Sequence, residues 1–315
     1  MNISDWTLEP RLRRFVLEDY QGPVARWCPS CGNHAILLAL QRLCLSAQLA
    51  PEKTVVVSGI GCSSRLPHHM NTYGFHSLHG RALPIACGIR ARRPDLHIFV
   101  ITGDGDCCAI GAGHWLNALR LNMKMTVLLL DNGVYGLTKK QTSPTSPKGF
   151  HSNTHPSGAP LSALNPLATA ISVTNASFVA QCADWIPDHL FATLKRAHVH
   201  EGLSFIRIRQ RCPHFMGDFW DDYVKDPQKQ CLLSDPAGVE IGEEIKKIYP
   251  NQLAHDPRNL GAAIELALQN EPLALGLLYL NVGAESYDSY AHRGLICSTQ
   301  EKLTALNREF DKFSV

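Results

Sequence analysis

No stretch of this 315-residue chain stays apolar for the roughly 18 residues a membrane-spanning helix requires, so insertion into a bilayer is not expected. An excess of one charge sign is also missing. Lys and Arg number 30 against 28 Asp and Glu, a net +2, which argues against nucleic-acid or membrane-surface binding driven by net charge. Internal repeats and long low-complexity tracts are absent. Hydrophobic residues at 45% and charged residues at 18% exclude a disordered or fibrous chain. Residues 1–14 carry Asp5 and Glu9 and no apolar centre, so they read as neither a secretory nor a transit peptide, and the cytoplasm is the expected compartment.

What the chain does have is cysteine: eleven, an odd number. In a reducing compartment these are buried small hydrophobes, reactive thiols or metal ligands, not disulfides. Cys44 and Cys87 lie in apolar helical patterns, and Cys107 and Cys108 follow a glycine-rich turn, so core packing is the reading for these four. Cys28, Cys31, Cys62 and Cys212 are flanked by Pro, Gly or Ser and sit in loop-like sequence.

Residues 34–48 are apolar nearly all round and predict a buried helix. TVVVSGIG (54–61) predicts a buried strand and a turn, 82–91 a helix, and HIFVITGDGD (97–106) a strand entering a Gly/Asp turn. A helix over 111–122 and a strand over 125–132 follow. Strands alternating with helices at this spacing predict an α/β fold, a mostly parallel sheet with helices on both faces. Residues 139–164 read as a long loop. Two more strands (176–182 and 204–210) enclose a helix near 187–198. Beyond these, a short helix (259–269) and a strand (274–280) are expected. The chain divides by this reading into a main domain over 15–222 and a C-terminal appendage over 223–315.

The turn Gly103-Asp104-Gly105-Asp106 lies where a strand gives way to a helix, the edge of a parallel sheet at which ligands bind. Glycines admit a phosphate to the backbone, yet the aspartates repel it. A divalent cation resolves the conflict: a carboxylate holds Mg²⁺, and Mg²⁺ holds a diphosphate. Asn132, at the end of the next strand, can add an amide oxygen beside Asp104. Alone, such a turn is more often only a tight turn with a loop cap; the strand–turn–helix–strand setting favours the metal.

The blocks WCPSCGNH (27–34), GIGCSSR (59–65), HGRALPIACG (79–88), GDGDCCAIGAGHW (103–115) and DNGVYGLTKKQTSPTSPKG (131–149) resemble the β subunit of 2-oxoacid:ferredoxin oxidoreductases. The resemblance runs from about Trp27 to Cys212 and resumes near 255–281. It implies the thiamine-diphosphate-binding fold, specifically its diphosphate-binding domain. It also implies thiamine-dependent oxidative decarboxylation of a 2-oxoacid to acyl-CoA and CO₂, with electrons leaving one at a time through a [4Fe–4S] cluster to ferredoxin.

Carried over by position, Asp104, Asn132 and the carbonyl of Val134 hold Mg²⁺. Ile60, Gly61, Cys62, Ser63, His79, Gly105, Asp106, Gly136 and Leu137 contact thiamine diphosphate, with Leu137 also in the substrate pocket. Cys28, Cys31, Cys62 and Cys212 bind the cluster. A Cys-x-x-Cys pair alone would equally suit zinc or a redox dithiol. The family places the pyrimidine-binding domain on an α subunit, so this chain alone is expected to be inactive. Coenzyme A is the implied co-substrate.

Arg65 matches a position linked in some relatives to a substrate's distal carboxylate; with the SPTS stretch (143–146) it tilts the substrate towards 2-oxoglutarate over pyruvate. A surface or diphosphate-contacting arginine is the alternative, and Arg81 is read as either near the cofactor or structural. His34 and His114 are read as structural. Ser30 and Lys140 stand where relatives commonly carry glycine. A non-redox thiamine enzyme leaves the four loop cysteines without a role. An iron–sulfur electron carrier leaves Asp104 and Asn132 without one. A nicotinamide dehydrogenase lacks its G-x-G-x-x-G turn.

Overall fold

The computed structural model describes residues 14–291 and 298–313; residues 1–13, on which most of the targeting expectation rests, lie outside the described residues. In chain order the elements are α1 (Asn33–Ser46), β1 (Thr54–Ser58), β2 (Tyr73–His76), α2 (Ala82–Arg92), β3 (His97–Gly103), α3 (Ala112–Leu121) and β4 (Met125–Asp131). A small hairpin of β5 (Val134–Tyr135) and β6 (Gln141–Thr142) leads to α4 (Pro166–Ser172), β7 (Phe178–Ala183), α5 (Pro187–His198) and β8 (Leu203–Arg209). The chain continues through α6 (Asp221–Lys225), β9 (Gln230–Ser234), α7 (Glu243–Ile248), β10 (Gln252–Ala254), α8 (Leu260–Leu268), β11 (Leu273–Leu280), α9 (Tyr287–Ala291) and α10 (Thr299–Asp311).

Among the described residues nine strands form one sheet in the order β10-β9-β11-β7-β8-β4-β3-β1-β2. Neighbours run parallel except β11 and β7. This is the mostly parallel α/β sheet that the strand–helix alternation predicts. Its inner strands are buried on both faces, and their residues alternate between two cores. Val55, Val57, Ile98, Val100, Val127 and Leu129 pack with α2, α3, α4 and α8. Val56, Phe99, Ile101, Leu128 and Leu130 pack with α1 and α5 on the other side. A one-residue slip would exchange every side chain between the two faces, so burial on both sides holds the register.

The C-terminal segment, expected as an appendage, adds β9, β10 and β11 along the β7 edge. It packs Leu232, Ile241, Ile245, Tyr249, Leu273 and Leu275 against Ala183 and Ile186. At the opposite edge lies β2, four exposed residues that no hydrophobic run announces. The long loop expected after 139 folds back over the sheet. Leu164 N–H donates to the Pro144 carbonyl (2.8 Å) and Gly149 N–H to that of Ala159 (2.8 Å). No helix among the described residues is long and apolar enough to cross a membrane.

Asn122 stitches three elements together behind the site. It ends α3 in the left-handed conformation, φ 48°. Its Oδ1 accepts from Ser177 Oγ (2.6 Å), just ahead of β7, and from the backbone N–H of Leu203 (2.8 Å), which opens β8. Asn122→Ala strands the Leu203 N–H in the interior, leaves Ser177 Oγ with only His200 Nε2 and the Leu203 carbonyl, and puts an apolar residue at positive φ. The expected loss is about 2–3 kcal/mol, read as a lower urea midpoint with an unchanged slope.

Candidate active site

The strands β1, β3, β4 and β8 end at the same edge, and the loops leaving them build two adjoining cavities. The first, of about 120 Å³, is lined by Ile60, Gly61, Cys62, Ser63, His79, Gly103, Asp104, Gly105, Asp106, Asn132, Val134, Tyr135, Gly136, Leu137 and Thr138. It thus gathers every residue expected at the cofactor and its metal. The second, of about 100 Å³, is lined by Cys28, Cys31, Cys62 and Cys212 with Arg26, Trp27, Arg65, Asn132, Gly136, Gln210, Pro213, His214 and Phe215. Cys62, Asn132 and Gly136 belong to both.

Asp106 organises the first cavity from below. Its buried Oδ1 accepts from the N–H of Ile60 (3.1 Å), the N–H of Gly80 (2.7 Å) and His79 Nδ1 (2.6 Å), and its Oδ2 from Thr102 Oγ1 (2.7 Å). The loops after β1 and β2 are thereby tied to the end of β3. The carboxylate is filled by these donors, which makes Asp106 a residue that shapes the cavity wall. His79 Nδ1 carries the hydrogen of its bond to the carboxylate. Gly59 leaves room for this arrangement, since a Cβ there would lie 2.1 Å from Asp106 Oδ2.

Asp104 has a different environment. It is 3% exposed, beside Asp131, and among the described residues no cationic side chain pairs with it. Burial and the neighbouring Asp131 push it up to about 7. Burial would raise Asp131 too, but the Arg207 and Arg209 guanidiniums and the Thr145 hydroxyl overcome this and hold it below the usual carboxylate range. Thr145 Oγ1 lies 2.8 Å from Asp104 Oδ2 and 2.7 Å from Asp131 Oδ1. A hydroxyl carries one hydrogen, so one carboxyl has to supply the proton of its own contact. Asp104 is that one. A buried carboxyl next to a carboxylate, with an amide oxygen and the Val134 backbone at hand, is a donor set that fits Mg²⁺.

The SPTS hydroxyls brace this metal side. Ser146 Oγ donates to the Gly133 carbonyl (2.6 Å), holding the turn between Asn132 and Val134. The other hydroxyls of the stretch bond one another and, from Thr145, the two aspartates. Tyr135, not singled out in the sequence, donates from its hydroxyl to the Gly105 carbonyl (3.1 Å) and lies where a Cβ on Gly105 would sit, 2.0 Å away. Burial and the nearby Asp104 push Tyr135 up to about 12, so it stays a donor.

In the second cavity, burial pushes Cys31 up to about 12 and raises Cys62 and Cys212, and neighbouring cysteines add to the rise in all three. The Arg65 guanidinium lowers Cys62 in part. Among the described residues no three His, Cys, Asp or Glu side chains converge as ligands of a single metal ion do. Four thiols lining one cavity are the ligand set that an iron–sulfur cluster takes. The Trp27 indole donates to the Cys62 carbonyl (2.7 Å) and fixes the loop the two cavities share. Arg65 lines this second cavity and not the first, with no carboxylate paired to it among the described residues. His34 stacks edge-on to Trp27, Arg81 is exposed at the start of α2, and His114 lines neither cavity.

Ser30 and Lys140, the two departures from glycine, both occupy the left-handed region, with φ 61° and 66°. The glycine is thus a backbone requirement at each place. Ser30→Gly and Lys140→Gly remove strain of about 1–2 kcal/mol, less about 0.4–1 kcal/mol regained by the unfolded chain. Each is expected to raise the melting temperature by roughly 1–3 °C, whereas Lys140→Val lowers it; differential scanning fluorimetry reads both.

Residues 59–208 match the family described as thiamine pyrophosphate enzyme, C-terminal TPP binding domain. A 2-oxoglutarate oxidoreductase subunit KorB of Mycobacterium tuberculosis is 33% identical over 87% of this chain and 79% of its own length. A 2-oxoacid:ferredoxin oxidoreductase subunit beta of Saccharolobus solfataricus is 38% identical over 83% of this chain and 84% of its own. Among solved structures, a 2-oxoglutarate:ferredoxin oxidoreductase from Magnetococcus marinus with 2-oxoglutarate, coenzyme A and succinyl-CoA bound is 34% identical. It superposes with a TM-score of 0.76, covering 94% of this chain and 97% of the other. With the sheet, the paired cavities and these relatives in agreement, the chain belongs to the family of 2-oxoacid:ferredoxin oxidoreductase β subunits.

Proposed function

We propose that this chain works with an α subunit that carries the pyrimidine-binding domain. Together they decarboxylate a 2-oxoacid oxidatively, 2-oxoglutarate in preference to pyruvate, to the acyl-coenzyme A and CO₂, and pass electrons to ferredoxin in the cytoplasm. In this reading Asp104, Asn132 Oδ1 and the Val134 carbonyl hold Mg²⁺. Ile60, Gly61, Cys62, Ser63, His79, Gly105 and Gly136 wrap thiamine diphosphate, and Asp106 holds their loops in register. Cys28, Cys31, Cys62 and Cys212 hold a [4Fe–4S] cluster. Thiamine diphosphate supplies the nucleophile and electron sink for decarboxylation, and the cluster a one-electron acceptor.

The observation that carries the reading is the common wall. Cys62, Asn132 and Gly136 line both cavities, so an acceptor in one lies against a reacting group in the other. The Gly136 backbone forms part of this wall: a Cβ there would face the second cavity, 3.5 Å from the Phe215 ring, 3.7 Å from Cys62 Sγ and 3.8 Å from Cys212 Sγ. Leu137 and Ile60 are exposed apolar residues at the mouth of the first cavity. They wall the substrate side, and a covering α subunit would exclude water there.

Iron and acid-labile sulfide, measured on anaerobically purified protein co-expressed with its partner, test this directly. About four of each per β chain are expected. Cys212→Ala abolishes them, while Cys231→Ala, buried in β9, leaves them intact. Iron below one per chain would withdraw the electron-transfer step and leave a non-redox thiamine enzyme.

The preference for 2-oxoglutarate rests on relatives named for that substrate and on the Arg65 guanidinium, which lines the adjoining four-cysteine cavity and has no carboxylate partner among the described residues. A charge-assisted bond to the distal carboxylate is worth ~1.5–3 kcal/mol. Arg65→Ala is therefore expected to lower kcat/KM for 2-oxoglutarate at least tenfold more than for pyruvate. An equal fall for both substrates removes the selecting role.

A further inference from the structure

Gln210 joins the two cavities. It directly follows β8, is buried, and lines the four-cysteine side. Its Oε1 accepts from Asn132 Nδ2 at 2.8 Å. Its Nε2 donates to the Arg211 carbonyl at 2.8 Å and reaches Cys31 Sγ at 3.4 Å. Gly32, next to Cys31, leaves room first for the Asp184 carboxylate and then for the Gln210 side chain, whose Cγ would lie 3.0 Å from a Cβ there.

The polarity of this chain of amides is forced. A backbone carbonyl can only accept, so Gln210 turns Nε2 to Arg211 and Oε1 to Asn132. Asn132 then has to present its Nδ2 to Gln210. Its Oδ1 is left on the far side, where it accepts from the N–H of Val134 (3.1 Å) and keeps a second lone pair. Were Asn132 free to turn, it could offer a cation an NH₂ group, which repels it. The remaining N–H of Gln210 meets the sulfur of Cys31. A hydrogen bond to a cluster thiolate stabilises the more negative, reduced state and so raises the reduction potential.

We propose that Gln210 is a positioning residue for both sites, aiming Asn132 Oδ1 at the metal while donating an N–H to the Cys31 sulfur. This role deepens the proposed function and rests on its Mg²⁺ and cluster ligands. It makes one amide the link by which the metal ligand and the electron acceptor are held in a common geometry.

The test uses the anaerobically purified complex of this chain with its α subunit, wild type and Gln210→Met, which keeps length and loses both polar atoms. Two readouts are independent of turnover. One is the cluster midpoint potential, from an EPR-monitored redox titration. The other is the Kd for Mg²⁺ at saturating thiamine diphosphate, from calorimetry. The variant is expected to show a more negative midpoint and Mg²⁺ binding weakened by about 10–100-fold, the usual effect of losing a partner that orients a metal ligand.

A midpoint equal to wild type in a variant with full iron overturns the donation to Cys31; an unchanged Kd overturns the orientation of Asn132. Gln210→Asn, polar but one carbon shorter, gives the same two readouts should the methionine variant fail to assemble. Wild-type protein lacking iron and sulfide would instead remove the cluster itself, and the role of Gln210 with it, so the two failures are told apart on the wild type.

Discussion

The site depends first on a single buried carboxylate. Asp106 draws the N–H groups of Ile60 and Gly80, the His79 ring and the Thr102 hydroxyl onto two oxygens. Three stretches of chain that are distant in sequence become one wall. An unfilled carboxylate in this position would carry a heavy desolvation cost, so the loops close because the charge has to be satisfied. Gly59 and Gly80 are consequences of that closure. At Gly80, with φ 71°, a Cβ would strike the Gly111 backbone at 2.7 Å.

Asp104 and the thiols of Cys31, Cys62 and Cys212 show the reverse condition. Burial raises all four, and only Cys62 has a nearby cation, Arg65, to offset it in part. Asp104 is pushed up by burial and by Asp131, and Cys31, Cys62 and Cys212 by burial and by one another. Cations would relieve both clusters of groups, and deprotonation would accompany their binding. Asp131 differs from Asp104 because Arg207 and Arg209 already neutralise it. Two adjacent aspartates thus do different work: one anchors the end of β4, and the other stays available.

Motifs built from neighbours were legible from the residues. The Gly/Asp turn after β3, the asparagine after β4, the Cys-x-x-Cys pair and the loop after β1 each announce themselves through glycine, strand periodicity and short spacing. Both cavities are lined by these residues together with His79, Val134, Gly136 and Leu137, which only the family resemblance marked. The contacts of Tyr135 and Thr145, which stand in a readable block, and of Gln210, which no pattern marks, were not legible, because their partners lie 30, 41 and 179 residues away. Trp27 stands in a readable block, yet its partner, the Cys62 carbonyl, is a backbone atom that leaves no trace in sequence.

The chain by itself determined the alternation of strands and helices, the two-faced burial of the sheet and the carboxyl edge where the turns collect. These follow from short continuous apolar runs and glycine placement, which act over a few residues. Only the tertiary structure decided that β9, β10 and β11 extend the same sheet, and that β11 meets β7 antiparallel. It alone brought the loop of Cys62 and the end of β8 together, so that the two cavities share a wall. Long-range pairing is chosen by what the whole molecule can bury and satisfy at once, and that is a property of packed surfaces that no short window of sequence contains.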